Sequence, residues 1–217
     1  QGKTICDYID NTPDVRVKSN GRVINRDRYF HEGLTWSTIS TGDFALRYSP
    51  QGSIFETKGA MIFFDEPRKT KSVLGILNTK ITSHLLQATS PTLDFHEGPV
   101  GRLPILISEK TVNEGNTSRV VRAVENAKSD WDAYETSWDF TTLPLLDPAH
   151  RGASLAATYQ TLRAHWQGMT DEMQRLEEEN NRIFIDAYGL QDELTPEVPL
   201  EEITLTCNPA YRYGGKA

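Results

Sequence analysis

Cysteine is nearly absent. Cys6 and Cys207 are the only two, at opposite ends of a 217-residue chain. They have no metal-ligand spacing to each other or to a histidine, so both read as reduced cytosolic thiols. No stretch approaches 18 consecutive apolar residues, which excludes a transmembrane helix. The sequence opens on Gln1 without a charged-then-apolar leader, so no secretory signal is expected and the polypeptide reads as a piece of a longer one. Also missing are the G-x-G-x-x-G turn of a dinucleotide fold and the G-x-S-x-G setting of a serine nucleophile. The histidines, His31, His84, His96, His150 and His165, are scattered without ribbon or helical pairing, and no metal site is expected from them.

What is present suits a soluble globular chain, with 37% apolar and 24% charged residues. The net charge of −7 is unevenly spread: residues 1–122 sum to +3 and residues 123–217 to −10. Two parts are implied. A basic first part could face a polyanion while the acidic second part faces water or protein, although ordinary surface variation accounts equally well for the split.

The first part reads as strands with one helix. "LTWSTI" (34–39), "FALRY" (44–48), "SIFET" (53–57) and "AMIFF" (60–64) are short and rich in β-branched and aromatic residues, with Gly- and Pro-bearing turns between them, which predicts a β-meander. Residues 71–87 change period: Val73, Leu77, Ile81 and Leu85 share a helical face, with Gly75 tolerable if it permits close packing on the sheet. "PVGRLPILI" (99–107) predicts a final strand bent by its prolines. Trp36 alternates with its neighbours as a core residue would, Arg47 should leave the sheet opposite Leu46, and Asn78 suits a local backbone turn.

The second part is helical. From a cap at Asn116-Thr117-Ser118, the residues Val120, Val124, Ala127 and Trp131 predict one apolar stripe. A long helix from about 154 to 188, capped by Ser154, carries Leu155, Tyr159, Leu162, Trp166, Met169, Met173, Leu176, Asn180, Ile183 and Ala187 at alternating spacings of four and three. At 1.5 Å per residue it would span roughly 50 Å, and antiparallel pairing with the 118–134 helix would bury part of the stripe, with Asn180 setting register. The stripe fits an internal hairpin core and a partner-docking face equally. The run Glu177-Glu178-Glu179, beside Arg175 and Arg182, reads as a solvated face.

Asn208-Pro209-Ala210-Tyr211 is one residue away from the Asn-Pro-Pro-Tyr loop with which amino-group DNA methyltransferases hold an extruded adenine. The cofactor turn and doubly wound sheet that such chemistry needs are not visible here. The tetrapeptide therefore reads as part of an extended segment, with no catalytic residue nominated. A free-standing methyltransferase using Asn208 and Tyr211 is the weakest of three functional readings.

Residues 26–64, "RDRYFHEGLTWSTISTGDFALRYSPQGSIFETKGAMIFF", followed by 74–105, "LGILNTKITSHLLQATSPTLDFHEGPVGRLPI", resemble the target-recognition region of adenine-specific DNA methyltransferases. The downstream "DWDAYETSWDF" (130–140), "EENNRIFIDAYGLQDEL" (178–194) and "NPAYRYGG" (208–215) are similar to the continuation in the PglX-type methyltransferases of BREX phage-defence systems. The resemblance implies a non-catalytic piece of a larger enzyme whose S-adenosylmethionine pocket lies in an upstream methyltransferase domain, this piece itself holding no cofactor. It implies a cytoplasmic module that grips double-stranded DNA, as part of a phage-defence or restriction-modification system. The expected fold is α+β: a linker over 1–21, a β-rich target-recognition domain with a packed helix over 22–117, a helical spacer or hairpin over 118–205, and an extended segment over 206–217. DNA gripping needs cations for phosphates and side chains that reach base edges. The candidates are Arg26, Arg28, Arg47, Arg68, Lys69, Lys71, Lys80 and Arg102. A helical module that docks other subunits of the defence complex is the alternative reading.

Overall fold

Leu34 and Trp36 alternate with Thr35 and Ser37, and in the computed structural model these residues lie in the central strand β1 (Gly33–Ser37). The structure describes residues 3–13, 25–56, 58–90, 92–108, 111 and 113–214. β1 pairs antiparallel with β2 (Arg47–Ser49) on one side and β3 (Gly59–Ile62) on the other, giving the order β2-β1-β3. Register sets Leu34 between Tyr48 and Ile62, and Trp36 opposite Ala60. With period-two alternation, this places Leu34, Trp36, Tyr48, Ala60 and Ile62 on the face that packs into the core. Trp36 is buried, and its indole N–H donates to the Phe95 carbonyl at 2.8 Å.

The sheet is smaller than the sequence suggests, and it is not a sequential meander, because β1 lies in its middle. Residues 53–56 form no strand of the sheet, Glu56 making only an isolated bridge to Gly59, and residue 57 lies outside the described set. The predicted final strand over 99–107 is replaced by a short helix, Glu97–Gly101, followed by irregular chain. Pro99 lacks an N–H, which costs nothing in the first turn of a helix but would remove a ladder bond from a strand. Burial of Val100 anchors this turn.

In chain order the helices among the described residues are α1 (Lys3–Asn11), α2 (Pro67–Leu77), α3 (Lys80–Thr89), α4 (Glu97–Gly101), α5 (Glu114–Asp132), α6 (Leu155–Tyr188) and α7 (Pro209–Tyr213). Together with the antiparallel sheet they make the α+β fold that was expected. α1 occupies part of the predicted linker. The single helix expected over 71–87 breaks into α2 and α3 at Asn78-Thr79 for a readable reason. The Asn78 side chain accepts from the Leu46 N–H at 2.9 Å and donates to the carbonyls of Leu46 at 2.8 Å and Leu74 at 3.1 Å. It thus mimics a strand partner for the chain entering β2. The hydroxyls of Thr79 and Thr82 both donate to the Ile76 carbonyl, at 2.7 and 3.0 Å, satisfying a helix end that would otherwise be orphaned in the core.

α2 lies against α5, and Gly75 lets them approach: a Cβ there would sit 2.8 Å from Val120 Cγ2 and 3.3 Å from Asn180 Oδ1. We expect Gly75→Ala to destabilise the fold by about 1–3 kcal/mol despite the better helix propensity of alanine, as overpacking does in a fixed core. Denaturant unfolding at constant m-value checks this; a stabilised variant would mean that Val120 yields freely.

α5 and α6 form the antiparallel hairpin. Arg119 Nε meets Glu179 at 3.0 Å, Arg122 pairs with Glu172, and Asn126 Nδ2 donates to the Met169 carbonyl at 2.8 Å, so numbers rise along one helix as they fall along the other. α6 has the predicted bounds, with Ser154 accepting from the Ala157 N–H and Gly189 closing it at φ 70°. α5 instead starts at Glu114, its cap being Asn113 rather than the 116–118 tripeptide. The long stripe does not stay buried. Leu162, Met173 and Leu176 are core, but Leu155 and Tyr159 are exposed, and Phe184 and Ile185 take the buried positions foreseen for Ile183 and Ala187. A straight helix drifts about 20° per heptad, and beyond residue 180 its neighbours are α2 and α3 rather than α5. Asn180 accordingly sets no hairpin register; its amide donates to the Gly75 carbonyl at 2.8 Å. Trp131, expected in the α5 stripe, is 54% exposed.

Candidate nucleic-acid interface

The face of the sheet turned away from the core carries Thr35, Ser37, Arg47, Gly59 and Met61, by the same alternation that buries Leu34 and Trp36. Arg47 stands opposite Thr35, is exposed, and reaches the Ser37 hydroxyl at 3.4 Å, so its guanidinium is held across the sheet with donors left over. Thr35 Oγ1 donates to the Ala60 carbonyl at 2.9 Å. The result is a shallow hydroxyl-and-guanidinium surface.

The other predicted cations sort into two groups. Arg26, Arg28, Arg68 and Lys69 lie in the loops and helix start at one end of the sheet. Arg26 forks onto Asp10 at 2.7 and 3.1 Å. Arg28 meets Asp27 at 3.3 Å and Asp65 at 3.9 Å and sits 5.9 Å from the Phe63 ring centroid, while Lys69 pairs with Glu66 at 2.8 Å. Exposed pairs of this kind contribute roughly 0–1 kcal/mol, so a phosphate can displace the carboxylates at little cost. Arg68 is exposed at the start of α2, and Arg102 is exposed just after α4. The second group is engaged within the fold. Lys71 caps the Tyr48 ring, its Nζ 3.2 Å from the centroid; burial lowers the ammonium pKa, and Glu32 opposes the shift. The Tyr48 hydroxyl donates to Glu32 at 2.7 Å, and that bond, with burial, pushes the phenol up to about 12. Lys80 donates to the Glu197 backbone carbonyl and so ties α3 to the segment after α6.

Two features of this region leave no signal in the sequence. Residues 38–40 run beside 93–95, with the Ser40 N–H donating to the Leu93 carbonyl at 3.0 Å and the Phe95 N–H to the Thr38 carbonyl at 2.6 Å. Between this pair and α3 opens a cleft of about 580 Å³ lined by Thr41, Asp43, Phe44, Ser83, Gln87 and Phe95 among others, next to a small depression that includes Ser37 and Arg47. Hydroxyls, an amide and a carboxylate there offer both donors and acceptors. At the opposite end of the sheet Phe30 has φ 66°, rare for an aromatic residue. It is locked by its N–H to the Ser53 carbonyl at 3.0 Å and by the Gly52 N–H to its own carbonyl at 3.1 Å. Tyr29, Phe55 and Phe63 stack edgewise behind it.

The Asn208 tetrapeptide is not extended. Asn208 caps α7, is 2% exposed, donates to the carbonyls of Leu200 at 2.7 Å and Ile203 at 2.9 Å, and accepts from the Ala210 N–H at 3.1 Å. Each of its hydrogen-bonding groups is thereby engaged within the chain. The glutamate run is no solvated face either: Glu178 accepts from the Val198 N–H at 3.1 Å and Glu179 pairs with Arg119 and Arg175. Glu177 is half-buried with no hydrogen-bond partner among the described residues, and burial plus the Glu202 charge pushes its carboxyl up to about 7. The fold does join two of the scattered histidines, His150 and His165, with ring centroids 4.8 Å apart; no third ligand completes a metal set among the described residues. Cys207 is a free thiol whose pKa burial and the Asp130 carboxylate push up to about 12; the side chain of Cys6 lies outside the described set.

No protein-family model matches the chain. It is 37% identical over 211 residues, 94% of its length, to the adenine-specific methyltransferase PglX of Lacticaseibacillus casei (strain Zhang). It is also 30% identical over 212 residues, 97% of its length, to the adenine-specific methyltransferase BrxX of Escherichia coli O9:H4 (strain HS). The chain is homologous to a segment of these methyltransferases. It spans 17% of the length of each. No helix among the described residues is long and apolar enough to cross a membrane.

Proposed function

We propose that this segment is the DNA-target-recognition element of a larger S-adenosylmethionine-dependent adenine-specific DNA methyltransferase, acting in the cytoplasm as part of a phage-defence system. The observation that carries the reading is the sheet face bearing Arg47, Ser37 and Thr35, open to an approaching duplex and continuous with a cleft of mixed donors and acceptors. Phosphate contacts fix a protein's register on DNA, and base-edge contacts specify sequence. Arg28, Arg68, Lys69 and Arg102 supply the first. Arg47, with the Asp43, Ser83 and Gln87 side chains of the cleft, supplies the second, guanine and adenine edges being matched by guanidinium and amide groups. The methyl donor and the reacting adenine belong to the upstream domain, since Asn208 is committed to the fold.

The test is an adenine-methylation map of cells carrying the full-length parent with residues 22–107 native or exchanged for those of a relative that modifies a different motif. A changed motif with methylation retained is the expected result; persistent methylation of the original motif would remove recognition from these residues. In the same parent, Arg47→Ala should cost about 1–3 kcal/mol of specific binding and relax specificity at one base position, whereas Arg68→Ala should weaken binding evenly and flatten the salt slope by about one. Quantitative binding across a panel of single-base variants, at several salt concentrations, distinguishes these two effects.

A further inference from the structure

After α5 the chain makes a turn closed by hydrogen bonds around Ser137 and flanked by two exposed ion pairs of Lys128. Lys128 Nζ bridges Asp132 and Asp139, each at 2.6 Å. Within this staple the Ser137 hydroxyl donates to Asp132 at 2.7 Å and accepts from the Asp139 N–H at 3.1 Å, and the Ser137 N–H donates to the Tyr134 carbonyl at 3.0 Å. At its apex stands Trp138, fully exposed. Trp131 at the end of α5 is also exposed, as are Leu143 and Leu146 in the following loop and Leu155 and Tyr159 at the start of α6.

An indole left wholly in water forgoes roughly the largest burial gain any side chain can make. The hydrogen-bonded turn beneath it removes in advance part of the backbone entropy that binding would otherwise cost. A tryptophan held out from an ordered turn, on a part of the chain that exposes further large apolar side chains, has the form of an interface anchor. The charge around it narrows the occupant. Residues 123–217 sum to −10, and Asp132, Asp139 and Glu135 lie on or beside the turn, so nucleic acid and anionic lipid are repelled. What fits is protein: an apolar pocket with a basic rim.

We propose that Trp138 anchors this segment to another part of the same parent polypeptide, the turn over 132–139 inserting into an apolar, basic-rimmed pocket outside residues 1–217. This rests on the reading of the chain as a segment of a longer methyltransferase. The relatives are single chains of which the matching segment is 17%, so most of the polypeptide lies elsewhere. A tethered pocket is presented at millimolar effective concentration, well above that of a free subunit. The anchor lies in the acidic helical part and the proposed DNA face in the basic sheet, so one segment can hold both the enzyme and its substrate.

The experiment places p-benzoylphenylalanine at position 138 of the full-length parent, with position 193, exposed after α6, as control. Irradiation in cells is followed by gel analysis and peptide mass spectrometry. The expected result is a crosslink at 138, several-fold above the control, to a peptide of the same polypeptide outside this segment, with no product of summed mass. A yield at 138 no greater than at 193 overturns the anchor. A product joining two polypeptides overturns the intramolecular assignment and gives the surface to a second copy or a separate subunit. These readouts do not depend on which DNA motif is methylated, so an exchange of residues 22–107 that failed to change the motif would sink the recognition reading and leave the anchor standing.

Discussion

Asn208→Ala should lower the stability of the fold by about 2–4 kcal/mol while leaving the proposed DNA binding at the sheet face unaltered. The substitution removes both amide donors from the Leu200 and Ile203 carbonyls and the acceptor that caps α7 at Ala210. Stranding buried polar groups costs about 1–3 kcal/mol and losing a cap typically about 1 more. The residue lies 2% exposed among Ile203 and Leu205, which are themselves fully buried, so water cannot repair the loss. Thermal unfolding combined with equilibrium DNA binding is the check. An unaltered melting temperature with lost methylation in the parent would mean that this asparagine leaves its cap to meet substrate, and the structural assignment would fail.

The contribution of Glu177 to stability should fall as pH rises from about 4.5 to 7, so Glu177→Gln should gain on the parent over that range. Burial first, and the Glu202 charge second, push the Glu177 carboxyl up to about 7 from an ordinary 4.5. Below the unfolded value the group is protonated in both states and costs nothing. Between the two values the folded state holds a proton that the unfolded state has released, so each pH unit gained weakens the fold. Above the folded value the loss is complete, at most about 3.4 kcal/mol at 1.36 kcal/mol per unit, with partial exposure bringing the expectation nearer about 1–2. At pH 8 the glutamine variant should melt about 4 °C higher, using roughly 2–4 °C per kcal/mol for a chain of this size. Equal melting temperatures for the two proteins at pH 8 would show that Glu177 has an unseen partner.

The long-range parts of the fold were the least legible. α6 could be drawn almost to the residue because the Ser154 cap and the sustained spacing of four and three both act locally. Trp36 was legible as core for the same reason, since strand alternation depends on adjacent residues. The split between α2 and α3 was not, because Asn78 ends a helix by bonding to Leu46, 32 positions away. Nor was Glu177: an Arg-flanked acidic run has the composition of a wet helix face, and only the return of residues 197–205 over α6 dries it. For the site, composition picked out the cations but could not separate Arg47, open on the sheet, from Lys80, spent on the Glu197 carbonyl. The 580 Å³ cleft arises where two distant loops meet, so its lining residues share no motif.

The bond from Asn180 to the Gly75 carbonyl, across a gap only glycine leaves open, bears on how such segments can diversify. A surface of this kind can be exchanged between proteins only if its underside still matches the support it lands on. Here the underside includes a missing Cβ at 75, a lysine at 80 that bonds to the Glu197 carbonyl after α6, and the residues that meet Val120. Residues on the outer sheet face and the polar residues around the cleft, such as Asp43, Ser83 and Gln87, lie apart from these positions. Donor sequences that keep glycine and lysine at those two positions should therefore graft as folded parts, and those that lack them should fail as folds before the proposed recognition could be tested.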